Sequence, residues 1–307
     1  MSLAKQEKSA VHHYWPTCLS EFWADSEGQV NRLSWDGKNQ RSQPKSFGGI
    51  GNGHKVSFGG EETDSIWDDT IEPMFDSADS NFPHLITHLL GLESKTGMDH
   101  QPIQTRLLSQ SLDDQVRTKL AESIASLIVR SPAFRNKIKI TVDSFRQGVP
   151  YKDSADAQNL ILVNMRQEFQ EIAKSLRSGG KLVVMHSDTS EFLFGEGFLH
   201  NLHGMNRIGL KFFVPLTPIM ALAFTRPSSY MTNPNCVTIR LRRDEIDVCN
   251  EISQIYTGKY LYSRSAFPRV AEDFTCGQFL EFQYHRHEWL DNLLGTAANF
   301  REPKSSA

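Results

Sequence analysis

The densest group of side chains able to do acid–base or metal chemistry lies near the start of the chain, His12-His13-Tyr14-Trp15-Pro16. Two imidazoles that titrate near neutrality, beside an aromatic ring and a rigid proline, could supply a general base or a metal ligand. The alternative is a strand start in which one imidazole satisfies a buried backbone group. A second group, Met185-His186-Ser187-Asp188, stands where an apolar run ends. A strand end fixes the backbone while the next loop exposes side chains, so Asp188 could orient a histidine or hold a metal. Otherwise it caps a turn with its own carboxylate. His84 and His88 have the four-residue spacing of a helical zinc pair, but Leu85 stands where a zincin carries its glutamate. The pairs His200/His203 and His285/His287 have no further support. The run at 48–53, GGIGNG, invites a phosphate-loop reading, yet His54-Lys55-Val56 follows instead of Lys-Ser/Thr, and loop is the better reading. No GxSxG elbow and no kinase signature occurs. Arg240, Arg242 and Arg243, with Arg226 nearby in sequence, could bind phosphate or line a solvated strand edge.

What must position these groups is an ordinary globular chain. Its 307 residues are 39% hydrophobic and include 19 Phe, 7 Tyr and 5 Trp, too rich in core formers for disorder. A chain of this size buries about three quarters of its unfolded surface. The 33 Lys+Arg against 36 Asp+Glu give no general drive toward nucleic acid or an anionic membrane, although a local basic groove is compatible with them. The segment Met1 to Val11 is polar, without the apolar core of a secretory signal. The most apolar stretch, Ile208 to Phe224, is interrupted by Lys211, Pro215 and Pro218, so no membrane span is expected. Cys18, Cys236, Cys249 and Cys276 are scattered without a CxxC pair, which suits reduced thiols in a cytoplasmic protein.

The chain reads as one α+β domain over 11–302, after a flexible lead-in at 1–10 and before a disordered tail at 303–307. Short strands come first, with Asp36-Gly37 as a hairpin turn. A helical middle follows. Residues 61–92 carry helical spacing that Pro73 and Pro83 should break. Leu112 to Val129 is the clearest helix, with Ser111 as its cap and Pro132 at its end. A helix over 155–176 should bury Leu160, Val163, Phe169, Ile172 and Leu176. Apolar runs at 181–186, 210–216, 219–224 and 236–241 then predict a mixed or antiparallel sheet, and 243–256 a flanking helix.

Taken in order, several of these pieces resemble a mainly bacterial domain-of-unknown-function family, number four-two-three-eight. Its members open with His-[aromatic or His]-x-Pro, as His13-Tyr14-Trp15-Pro16 does. They have a helix ending in Arg-Thr-Pro, matched by Arg130-Ser131-Pro132 with Arg135 beyond, and a strand ending in Ser-Asp-x-Pro, matched by Ser187-Asp188. Their Pro-Leu-Ser-Pro is similar to Pro215-Leu216-Thr217-Pro218, and a late Asn and aromatic-Ser end resemble Asn250 and Tyr260-Leu261-Tyr262-Ser263. Thr189-Ser190 departs from the family's Asn-Pro after the Asp. The likeness spans residues 12 to about 265 and carries no known activity.

These readings combine into one expectation: His12 or His13, Arg130, Asp188 and Asn250 converge on one pocket. The function expected is that of a hydrolase acting on phosphodiester or nucleic-acid substrates. His12 or His13 would be general base or metal ligand, Asp188 its orienter or a ligand, and Arg130 or Arg135 a phosphate clamp, with Asn250 also binding substrate. The alternative is a non-enzymatic binding or regulatory protein of a stress or phage-defence system, whose conspicuous polar residues make buried hydrogen bonds. Cofactor, metal and partner are open on sequence; a nucleic acid or nucleotide partner is compatible, and a membrane is not expected.

Overall fold

A computed structural model describes residues 11–46, 48–51, 55–56, 69–70, 73–98, 100–146, 154–197 and 211–301. The lead-in, the tail, Asn52-Gly53-His54 and the pair His200/His203 lie outside them. The N-terminal part holds β1 (Val11–His13), α1 (Thr17–Phe22), β2 (Val30–Ser34), β3 (Asn39–Ser42), β4 (Gly49–Gly51), β5 (Lys55–Val56) and β6 (Asp69–Thr70). The middle holds α2 (Pro73–Leu90), α3 (Ile103–Arg106), β7 (Leu108–Gln110), α4 (Asp114–Arg130), α5 (Pro132–Arg146) and α6 (Ser154–Ser178). Then come β8 (Lys181–Ser187), β9 (Phe194–Gly195), β10 (Lys211–Thr217), β11 (Met220–Thr225) and β12 (Cys236–Leu241). The chain ends in α7 (Arg243–Ile255), β13 (Tyr260–Ser263), α8 (Glu272–Thr275) and α9 (Tyr284–Asn299). The class is α+β.

Five strands form the central mixed sheet, in the order β10-β11-β8-β12-β7. All pairs are antiparallel except β8 with β12, which run parallel and pair His186 with Arg240. Every residue of β8, β10 and β11 is buried, which explains their unbroken apolar reading. Pro215 is tolerated inside β10 because β10 is the edge strand. Successive side chains alternate faces, so Leu182 and Phe212 meet Leu120 and Ile124 of α4 on one face. On the other, Lys181 donates to Phe300 O (2.9 Å) just past α9 and Lys211 to Asp291 (2.9 Å) within it. A smaller sheet, β3-β2-β13-β9, stands beside it, and its β2–β3 hairpin turns at Asp36-Gly37 with Gly37 at φ +78°.

Four details differ from the sequence reading, each for a physical reason. Asp113, not Ser111, caps α4, its carboxylate accepting from Val116 N at 2.8 Å. Pro73 begins α2 and Pro83 sits inside it without ending it. A proline there cannot donate to the carbonyl four residues back, Asp79 O, and the Cys18 thiol donates to that oxygen instead, at 3.4 Å. Leu160 and Val163 of α6 are exposed while Ile161, Leu162 and Met165 are buried, so the buried stripe departs from the expected one in its early turns and rejoins it at Ile172 and Leu176. Gly49–Gly51 is not loop but strand, paired with β1, and Gly48 at φ +77° leaves no room for a side chain against Trp15.

Candidate functional site at the carboxyl edge of the parallel strands

In open α/β sheets, ligands gather beyond the carboxyl ends of the parallel strands. Here that edge belongs to β8 and β12. His186 and Arg240, partners across the ladder, project on the same face. The His186 ring is buried and its Nε2 has no hydrogen-bond partner. Burial, and then the Arg240 charge, push its pKa down to about 4, so the imidazole is neutral at physiological pH. Arg240 holds Asp188 in an ion pair just past β8 and donates to Ser94 Oγ at 3.0 Å, while its Nε is buried without a partner. The Asp188 side chain is 61% exposed. A neutral buried imidazole, a guanidinium and an exposed carboxylate thus share one end of the sheet.

Buried polar anchors fix this edge from behind. Arg106 binds Glu245 through both guanidinium nitrogens (2.6 and 2.7 Å) and donates to the backbone carbonyl of Arg240. Glu245 also accepts from Arg242 N at 2.9 Å, tying the start of α7 to the end of β12. β12 lies between β8 and β7, but β7 pairs it only over Cys236–Thr238, so Arg240 stands past that ladder, half-buried, with Arg243 exposed beyond it.

The expected site residues fall into two connected groups. The Arg130 guanidinium is fully buried, bonded to both oxygens of Asp79, to His13 O (3.0 Å) and to Ser126 O (3.3 Å), and stacked over Phe75 at 4.7 Å. It fastens β1 to α2 and α4. The His13 Nδ1 is buried without a partner; His12 lies in β1 opposite Ile50. Arg135 contacts Met165 Sδ at 3.6 Å, and burial lowers its pKa. Ser131 Oγ accepts from Phe134 N at 3.2 Å and Pro132 opens α5, so this triplet builds a helix corner. In the second group, Asp188 meets Arg240, and Asn250 clamps the loop behind it by accepting from Leu193 N and donating to Glu191 O, both at 2.8 Å. Among the described residues no hydrogen bond or ion pair joins His13 to Asp188.

An aromatic stack links the groups. Trp15 lies on Phe194 at 4.2 Å, Phe194 on Tyr262 at 4.7 Å, and Trp23 against Phe194 at 4.5 Å. Trp23 Nε1 donates to Leu216 O (3.1 Å) and Phe192 N to Pro218 O (2.8 Å), bringing in the Pro215–Pro218 turn. Ser187 Oγ accepts from Ser190 N at 3.2 Å, a bond a proline at 190 could not make. The segments from His13 to Pro16, 130–132, 187–188 and 215–218, with Asn250 and Tyr262, contact this network around residues 187–194 or its Arg130 corner; the Trp35–Lys38 hairpin, which also carries the resemblance, packs instead on Lys259, Gly277 and Phe279.

His84 and His88 are solvent-facing on α2. Among the described residues no group of three or more His, Cys, Asp or Glu side chains is gathered to hold a metal, and no helix is long and apolar enough to cross a membrane. Sequence offered Arg240 as a possible phosphate binder and His186 as part of the strand-end group but placed neither in the expected pocket, and Ser94 carried no signal. The available signal was an arginine at an otherwise apolar strand position, in CVTIRL, beside a strand ending in histidine.

A mixed α+β sheet with its polar cluster at the parallel carboxyl edge defines the class of protein. The model of the family described as "Protein of unknown function (DUF4238)" matches residues 11–267, and the chain belongs to that family. No curated protein and no solved structure matches the chain.

Proposed function

We propose that this protein binds a phosphate-bearing ligand, a nucleotide or nucleic-acid segment, at the β8/β12 edge and hydrolyses a phosphate ester there, in a cytoplasmic setting. The observation that carries the reading is the buried, unpartnered Nε2 of His186 beside Arg240, whose charge is met, among the described residues, by the exposed Asp188 carboxylate. A guanidinium matches a phosphate better than any other common anion binder. An incoming phosphate would compete with Asp188 for Arg240 and offset the positive charge that depresses His186. The imidazole then becomes a stronger base toward an attacking water. Asp188, displaced, is free to orient that water.

The test is a binding and turnover screen of the purified protein against nucleotides and short nucleic acids, with and without EDTA. Replacing Arg240 by Gln should abolish binding. Asp188→Asn should tighten phosphate binding, because the competing carboxylate is gone, while lowering turnover at least tenfold. His186→Gln should bind ligand and fail to turn it over. Binding unchanged in Arg240→Gln would end the proposal.

Loss of turnover alone, with ligand binding intact throughout the wild-type screen, would favour the binding or regulatory reading. The observation on that side is that Arg130 and Asn250 spend their polar groups on the protein's own backbone and on Asp79.

A further inference from the structure

Almost all of the wall of a second concavity lies after residue 267, outside the segment the family model matches. It opens between α7, the stretch 271–283 and the first turn of α9, and encloses about 230 Å³. That is below the roughly 300–1,000 Å³ of sites for drug-sized ligands, so it admits a short chain and excludes a nucleotide. Its floor is closed by internal pairing. Glu251 receives Arg286 on one oxygen and His287 Nε2 (3.3 Å) on the other, and His287 Nδ1 accepts from Gln283 N at 3.0 Å. None of these groups has a strong claim left for a ligand.

The rim is different. Asp273 and Glu281 face the concavity, both exposed, and neither is in an ion pair among the described residues. With Glu251 and Arg286 cancelling, they leave the wall doubly negative. Phe279 lines the same mouth at 77% exposure, its ring 5.8 Å from Trp35. Apart from its contact with Trp35 the ring is open to water, and an exposed phenyl face is a favourable neighbour for a cation. Leu280 and Ile255 supply apolar wall between the charges and the floor.

We propose that this concavity binds a small free organic cation, an aliphatic diamine or a guanidinium-bearing amine. Its charged ends meet Asp273 and Glu281, its chain lies against Leu280 and Ile255, and one cationic end packs on Phe279. The proposal does not depend on the reading of the β8/β12 edge.

Calorimetric titration of the full chain with agmatine, at low ionic strength, tests it. One saturable site is expected with a Kd below about 1 mM. The double variant Asp273→Asn/Glu281→Gln should bind at least tenfold more weakly, and Phe279→Ala about threefold more weakly. All three positions are exposed, so melting temperatures should match the parent and separate lost binding from lost folding. N-butylacetamide, of similar length and no charge, should give no saturable heat. Absence of saturable agmatine binding, or equal affinity in the double variant, overturns the proposal.

Discussion

Asn250 illustrates how one side chain can look functional in sequence and act on the backbone in the fold. Its amide satisfies the N–H of Leu193 and the carbonyl of Glu191 at once, fixing the loop that carries Asp188. Replacement by Ala leaves two backbone groups to find other partners, at a cost of about 1–3 kcal/mol. Urea denaturation should show that loss with little change in the slope. His186 gives a pH-dependent counterpart. Its pKa falls from 6.5 to about 4 on folding, so between those values the unfolded chain binds the extra proton. Stability is full above pH 6.5 and declines as pH drops through the window, by up to about 3 kcal/mol. Denaturation at a series of pH values should show this decline in the parent and a flatter profile in His186→Gln.

Elements here are joined by buried ion pairs at their ends. Arg106 and Glu245 are almost wholly enclosed and connect α3, β12 and α7. Their desolvation makes the pair weak evidence of net stabilisation, but removing one partner strands a buried charge. Arg106→Met should therefore cost about 3–5 kcal/mol, and the double variant with Glu245→Met should recover much of that loss in thermal unfolding. The helical elements were largely readable from spacing, since α4 and α7 each carry a regular apolar stripe. Early in α6, Leu160 and Val163 fit a helical period as well as Ile161 and Met165 do, and only the neighbouring α4 decides which face is covered; further on, Ile172 and Leu176 are buried as the spacing predicts. Pro83 misled because a proline inside a helix is normally a break, and the compensating donor, Cys18, is 61 residues away in sequence to its carbonyl partner.

At the scale of the whole molecule, α9 closes one face of the central sheet although it lies beyond the family match. Leu290, Leu293, Leu294 and Ala297 are buried beneath it, and it supplies Asp291 to the buried Lys211. The Lys181 amine, covered by the Phe300 carbonyl, has its pKa lowered by burial to about 8. Ending the chain after residue 267 should uncover this face and both lysines, and yield aggregated or molten protein. Near-ultraviolet circular dichroism and gel filtration read that outcome directly; a sharp monomer peak with native tertiary signal would refute it.

Local chemistry in the chain was sufficient for the α+β class, the Asp-Gly hairpin, the long helices and the buried strands, because each depends on periodicity or on a turn residue within a few positions. It also singled out the polar segments around His13 and Asp188, while Arg130 and Asn250 came from the family resemblance. Tertiary structure alone decided what those residues touch. Arg130 meets Asp79 across 51 positions and Asn250 meets Leu193 across 57, while His186 gains Arg240 only when β8 and β12 pair in parallel. Partners so distant follow from strand order and helix packing, which no short window of sequence contains.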